Sequence, residues 1–293
     1  MSGTVLPDTG IAGHGASELG VWAYAITDSD CVSGSGDGAE LSRLTGVGGA
    51  GVRTAACAGL TMLVSDVSLT EFGEAALRRN LEDLDWLDEV ARAHHHVISA
   101  AAALFPVLPT RLATVYSGDA AVCAALADRR DQLRDALRRI GGRVEWGVKA
   151  YEAPEPEPSA EMPPAAEAAG VRGTGDAAEP AGTRGGGAGL AYLKRRKEQL
   201  TAKRESQASA VNGAREVHAE LAGRAEDARL HPPQAASLSG IRLPMLLNAA
   251  YLLGSADGTN FTAAVAAETD AHPELRIELT GPWPPYSFAG DDE

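Results

Sequence analysis

The chain has 293 residues, of which 44% are hydrophobic and 23% charged, and its formal net charge is −14 at pH 7. This length is sufficient for about two domains, each with its own core. The negative charge argues against unspecific binding to nucleic acid or to an anionic membrane, because both would repel the chain. The longest apolar stretches, residues 100–108 and 245–254, are shorter than the ~20 residues of a membrane-spanning helix.

The first residues and the cysteines favour a cytoplasmic protein. Residues 1–18 have no basic start and no apolar core, so we expect a flexible leader and not a secretory signal. The three cysteines, Cys31, Cys57 and Cys123, are widely spaced and form no C-x-x-C pair. This pattern is typical of a reducing compartment, and we expect free thiols.

Three short apolar runs near the start predict a small sheet. They cover residues 21–28, 52–58 and 60–67, and each is bounded by Gly, Ser or Asp. Residues 29–51 are rich in Gly, Ser and Asp, which predicts a surface loop.

A helix is predicted from about residue 81 to 104, because apolar residues recur there every three or four positions. Its centre contains three consecutive histidines, which point about 100° apart on a helix and cannot all bind one metal ion. We expect His94 to be buried and hydrogen-bonded near residues 107–114, and His95 and His96 to face solvent.

The middle of the chain predicts a second helix, a strand and an insert. Asp119 can cap a helix that reaches Ile140, where two glycines stop it. Residues 144–151 alternate between apolar and polar, which predicts a strand with one buried face and places Glu145 toward solvent. Residues 152–187 contain almost no large apolar side chains, and we expect a disordered insert.

A long, strongly charged helix is predicted from about residue 190 to 229. It carries only a thin apolar stripe: Leu190, Leu193, Leu200, Val211 and Leu221. Such a helix needs packing against the C-terminal sheet or against another chain. Leu193 and Leu200 are therefore candidate partner-binding residues, and self-association through this stripe is one interpretation.

The chain closes with a strand at 245–253, a helix at 259–270, a strand at 275–280 and a proline-rich aromatic tail. The three prolines of the tail end the last strand and hold the backbone extended. Trp283, Tyr286 and Phe288 either fold back onto a domain core or dock a partner. Both can hold if Trp283 seals the C-terminal sheet while Tyr286 or Phe288 stays at the rim.

No segment predicts a catalytic, cofactor or metal site. Residues 46–51 satisfy G-x-G-x-x-G, but they lead into a predicted strand, whereas a dinucleotide loop opens a helix. A nucleotide-binding enzyme that uses Gly46 to Gly51 is the alternative to a binding protein.

Several segments, in order, resemble the GvpL/GvpF family of gas vesicle accessory proteins. They are VWAYAI at 21–26, LTMLVSDV at 60–67, AH at 93–94, VLPTRLATVY at 107–116, VEWGVK at 144–149, NAAYLL at 248–253 and GPWPPYSF at 281–288. Leu112-Ala113 departs from the family's usual Phe-Gly, which indicates local repacking at a turn. The long insert after Tyr151 is the second departure.

The resemblance implies an α+β fold in which a ferredoxin-like C-terminal domain with a long helix lies beside a smaller α+β N-terminal domain. We expect a leader at 1–18, the N-terminal domain at 19–118, the C-terminal domain at 119–288 and an acidic tail at 289–293. The resemblance also implies a non-enzymatic accessory protein, in the cytoplasm or on the gas vesicle, that binds the hydrophobic shell protein and other gas vesicle proteins.

Overall fold

The structure is a computed structural model that describes residues 19–34, 38–154, 186–234, 241 and 243–290. The predicted leader, most of the predicted insert and residues 291–293 lie outside these ranges. The chain folds into two compact units. Among the described residues, unit 1 contains those up to Glu145, 252–255 and 281–290, and unit 2 contains those of 146–251 and 256–280.

Unit 1 is built on an antiparallel sheet. Its strands are β1 (Leu19–Asp28), β2 (Arg53–Cys57), β3 (Leu60–Ser68), β4 (Leu108–Pro109) and β5 (Val115–Tyr116). The order is β2-β3-β1-β4, and β5 also pairs with β1. Eight consecutive residues of β1 are buried, so both faces of this strand are covered. The predicted strands at 21–28, 52–58 and 60–67 are thus confirmed.

Helices cover the sheet of unit 1. They are α1 (Ser29–Gly34), α2 (Gly38–Leu41), α3 (Leu69–Phe72), α4 (Glu74–Asn80), α5 (Leu84–Ala102), α6 (Asp119–Asp128) and α7 (Arg130–Ile140), with a 3-10 turn at Val47–Gly49. The single helix predicted from Asp119 to Ile140 is two helices, broken at Arg129, whose backbone leaves the helical region.

The predicted loop at 29–51 is wrong in part, because this segment contributes to the core. Leu41 and Val47 are both buried, and α1, α2 and the 3-10 turn shape the backbone between β1 and β2. Glycine-rich composition indicated the turns but not these two apolar side chains, each of which stands alone among polar residues.

Unit 1 also contains a disulfide, between Cys57 at the end of β2 and Cys123 on α6. Their Cα atoms are 5.3 Å apart, within the range that a disulfide spans. The expectation of free thiols is therefore wrong for these two residues. A separation of 66 positions in sequence conceals that α6 packs on β2.

Unit 2 has the element order of a ferredoxin-like fold. The elements are β6 (Arg143–Glu152), α8 (Gly186–Ala222), β7 (Asp227–Leu230), β8 (Met245–Gly254), α9 (Gly258–Ala271) and β9 (Leu275–Trp283). The sheet order is β7-β8-β6-β9. This βαββαβ arrangement confirms the α+β class and the ferredoxin-like fold that the resemblance implied.

The long helix is shorter than predicted. It ends at Ala222, and residues 227–230 form β7, where the sequence pattern predicted helix to Arg229. Gly223 follows the last helical residue, and glycine is unfavourable in a helix interior. His231 N then donates to Asn248 O at 2.8 Å, beside the pairing of β7 with β8.

The second half of α8 is packed in unit 2, and the burial is confined to one face. Ala210, Ala214, Val217 and Leu221 are buried on that face. His218 Nδ1 lies 2.9 Å from the Tyr251 hydroxyl on β8, and the ring of Tyr251 is 5.4 Å from that of Phe261 on α9. None of the helices in the described ranges is long and apolar enough to cross a membrane.

Candidate functional site

Helix α5 provides the platform of the candidate site, and His94 fixes it to β1. The indole N–H of Trp22 donates to His94 Nδ1 at 3.0 Å, and His94 Nε2 donates to Thr110 O at 3.3 Å. Burial lowers the pKa of His94 to about 4, so the ring is neutral near pH 7 and can accept the indole proton. The predicted burial and hydrogen bonding of His94 are confirmed.

The next residue, His95, holds the aromatic tail. Its Nδ1 lies 2.9 Å from the Tyr286 hydroxyl, and its Nε2 lies 3.1 Å from Ser99 Oγ. Its ring also meets Trp283 edge to face, with ring centres 5.2 Å apart. The expectation that His95 faces solvent is wrong, because the tail covers this face of α5. His96 is exposed as expected.

The protonation states of this pair follow from its burial. Burial raises the pKa of Tyr286 and lowers the pKa of His95, so near neutral pH the phenol keeps its proton and the imidazole is neutral. Tyr286 therefore donates to His95, and His95 donates to Ser99.

Glu145 is the second anchor of the tail. One of its carboxylate oxygens accepts from the Ser287 amide at 2.7 Å and the other accepts from the Ser287 hydroxyl at 2.8 Å. Arg139 on α7 donates to Phe288 O at 3.2 Å. The prediction that Glu145 faces solvent is wrong, because the tail folds over it and buries it.

The three tail aromatics differ in exposure, which the sequence left open. Phe288 is fully buried, Tyr286 is partly buried against the core of unit 1, and Trp283 remains 40% exposed. The sequence allowed an arrangement in which Trp283 seals the C-terminal sheet and Tyr286 or Phe288 stays at the rim. In the structure Phe288 is the anchor and Trp283 is presented to solvent.

Trp283 borders an apolar groove of about 470 Å³ within unit 1. The end of α5 and the chain that follows it form one side, and the prolines of the tail form the other. The apolar lining residues are Ala102, Ala103, Leu104, Phe105, Pro106, Val107, Ile140, Val144, Pro282, Trp283, Pro284 and Pro285. Arg143 supplies the one charged side chain among the described lining residues. Such a surface suits an apolar protein segment better than a charged small molecule.

The glycine-rich loop at 46–51 is bonded to the protein itself. The Gly46 amide donates to Ala50 O at 2.7 Å, and the Val47 amide donates to the buried Tyr24 hydroxyl at 2.8 Å. A side chain at Gly46 would collide with that hydroxyl, which explains the glycine. The loop leads into β2 and not into a helix, so these amides do not form the cradle of a dinucleotide site.

The other predicted partner-binding residues lie on α8. Leu193 and Leu200 are 61% and 52% exposed, so this part of the apolar stripe is open to solvent. Within the part of the chain that the structure describes, no three His, Cys, Asp or Glu side chains are placed to hold a metal ion.

Comparison with known proteins agrees with the fold and with the sequence segments. The family described as "Gas vesicle synthesis protein GvpL/GvpF" matches residues 20–290. The chain belongs to the GvpL/GvpF family. Gas vesicle protein L of Streptomyces sp. is 39% identical over 254 residues, which are 87% of this chain and 89% of the relative. Gas vesicle protein F of Streptomyces sp. is 30% identical over 67% of this chain and 75% of the relative.

A crystal structure of the gas vesicle protein GvpF from Anabaena sp. has the same fold. It superposes with a TM-score of 0.57 over 94% of this chain and 98% of that chain, at 20% sequence identity. This GvpL/GvpF family member therefore shares its α+β architecture with a gas vesicle protein across nearly the full length of both chains.

The sequence pattern missed the residues that hold the tail. His95, Ser99 and Glu145 lie on elements far from the tail in sequence, and Arg139 reaches it only because α7 ends nearby. The one available signal was the position of Ser287 between two aromatic residues, since a buried hydroxyl there needs a polar partner.

Proposed function

We propose that this member of the GvpL/GvpF family is a non-enzymatic accessory factor of gas vesicle assembly that binds the hydrophobic shell protein through Trp283 and the adjoining groove. The observation that carries the proposal is the combination of a half-exposed tryptophan with an apolar groove. Trp283 belongs to a segment whose later residues are fixed by hydrogen bonds and burial. A rigid aromatic side chain loses little entropy on binding, which makes it an effective anchor.

The charge of the chain supports the same role. A net charge of −14 keeps the protein soluble and dispersed, while the groove is almost uncharged. An accessory factor of this kind can bind the aggregation-prone apolar shell protein at the groove, while its acidic surface repels other copies of the factor. The proposed locations are the cytoplasm, during assembly, and the gas vesicle surface.

Co-purification with the shell protein from cells that produce gas vesicles tests the proposal. We expect Trp283→Ala to lower the recovered shell protein about thirtyfold, because the central aromatic anchor of an interface contributes about 2 kcal/mol or more. Leu84→Ala is the matched control, since Leu84 is a still more exposed apolar residue of unit 1, at 68%. Equal recovery with both variants would contradict the proposal.

Two further variants separate binding from folding. Tyr286→Phe removes only the hydroxyl that bonds to His95. We expect this variant to retain the groove, with the tail held slightly less rigidly. Phe288→Ala removes the buried anchor, so it should lose shell protein together with a lowered melting temperature. Trp283→Ala should lose shell protein at an unchanged melting temperature.

A further inference from the structure

Helix α8 changes character halfway along its length. All residues from 193 to 209 are exposed, whereas the buried face begins at Ala210 and continues to Leu221. We call residues 193–209 the basic arm. At 1.5 Å per residue the arm is roughly 26 Å of helix with every side chain in water.

An exposed apolar stripe runs along the basic arm. Leu193 and Leu200 are seven residues apart, so they lie on the same side of the helix. A repeat of seven drifts by about 20° per heptad on a straight helix, so this side is turned away from the face of Ala214 and Leu221 that packs within unit 2. The described part of the unit leaves both leucines uncovered.

The arm is basic in a protein that is acidic overall. Residues 193–209 contain six Lys and Arg and two Glu, a net charge of +4, against −14 for the complete chain. Positions three and four residues after the two leucines are Arg196, Lys197, Lys203 and Arg204. These cations flank the apolar stripe, because residues three and four apart share one side of a helix.

A helix of this length has little stability of its own in water, so a partner that covers the stripe would stabilise it. We propose that the basic arm packs against an acidic amphipathic helix of another protein, with Leu193 and Leu200 in its apolar seam and the four cations beside its carboxylates. Two copies of the arm cannot pair favourably, since each has a charge of +4. A phosphate polymer would satisfy the cations but not the leucines, and the charge of −14 opposes it.

This surface is separate from the tail groove, and its test uses a different readout. A photo-reactive amino acid replaces Leu200 in the full-length chain in cells that produce gas vesicles, and mass spectrometry identifies the cross-linked segment. We expect a segment of another protein with net negative charge and apolar residues at helical spacing. The same group at Leu84, an exposed helical leucine of unit 1, should not capture it.

Charge reversal on the basic arm is the second experiment. Lys203→Glu with Arg204→Glu should lower the cross-linked yield about tenfold, because several attractive ion pairs become repulsive. Arg78→Glu with Arg79→Glu, an exposed basic pair on α4, is the matched control and should leave the yield unchanged. Circular dichroism of each variant confirms that α8 is retained.

Four results would overturn the proposal: cross-links to nucleic acid, to lipid or to a second copy of this chain, or a yield that charge reversal on the arm does not change. Each of them leaves the co-purification result for Trp283 unaffected, so the two proposals fail independently.

Discussion

The tail and helix α8 have the same design, an exposed part followed by a fixed part, but the exposed parts differ in charge. In the tail, Phe288 is buried and Tyr286 and Ser287 are hydrogen-bonded, while Trp283 is presented beside an apolar groove with one charged side chain, Arg143, among its described lining residues. In α8, residues 210–221 pack on one face, and the basic arm carries two leucines among six cations. The two proposals accordingly assign the surfaces to two classes of partner, one apolar and one acidic.

The comparison also shows how an acidic protein can expose apolar side chains. Trp283 adjoins tail residues that hydrogen bonds and burial already hold in place, so little order is lost when a partner binds it. The basic arm extends beyond the packed half of α8 and gains order from a partner.

The largest expected effect is the loss of the tail's buried anchor. Phe288→Ala should lower the free energy of unfolding by about 3 to 5 kcal/mol, the usual range for deleting a buried phenylalanine ring. Trp283→Ala should change it by less than about 1 kcal/mol, because Trp283 is half exposed. Urea unfolding measures both free energies. Equal losses would contradict the account in which Phe288 holds the tail and Trp283 is presented to a partner.

The second effect concerns His94, which joins helix α5 to β1. Because the pKa of His94 is about 4 in the folded chain and 6.5 in the unfolded chain, only the unfolded chain takes up this proton between those values. The free energy of unfolding should be highest above pH 6.5 and should fall by about 3 kcal/mol as the pH falls to 4. His94→Gln should flatten this dependence, whereas His96→Gln, at an exposed position, should not.

A third, smaller effect is expected at the carboxylate that holds Ser287. Glu145→Gln keeps one acceptor and loses the other. This should lower the free energy that holds the tail at Ser287 by about 1 to 3 kcal/mol. Hydrogen exchange at the Ser287 amide should accelerate accordingly. Glu89→Gln, at an exposed position on α5, is the control. If it accelerated exchange of the Ser287 amide equally, the effect of Glu145 would not be local.

The smallest effect is a gain in stability. Ala113 lies at φ 63°, a left-handed conformation that costs energy for any residue with a Cβ, at the place where the family usually has glycine. Ala113→Gly should raise the free energy of unfolding by about 0.5 to 1 kcal/mol. Ala102→Gly at the end of α5 should lower it, because glycine is unfavourable in a helix. A loss of stability in Ala113→Gly would contradict this account of the turn.

Strong periodic patterns predicted the framework of the fold correctly. The strands around Val21 and Leu60, helix α5 with buried His94, and the strand and helix around Tyr251 and Phe261 all appear near their predicted positions. Each contains several apolar residues at one spacing, so the pattern itself specifies which face is buried.

Contacts between distant segments could not be predicted in this way. The Cys57–Cys123 disulfide, the Tyr286–His95 hydrogen bond and the burial of Glu145 each join positions that only the tertiary fold brings together. The exposure of Trp283 and the burial of Phe288 have the same origin, since both residues suit a core or an interface equally well by composition.

The central claim is that Trp283 is presented by a fixed tail and is the residue that contacts the shell protein. Fluorine NMR of the chain labelled with 5-fluorotryptophan tests it directly, because the chain has only four tryptophans and Trp283→Phe assigns one signal. We predict that a soluble nitroxide broadens the Trp283 signal, and that added shell protein shifts it and protects it while buried Trp22 is unchanged. A Trp283 signal that stays the same when shell protein is bound would contradict the account.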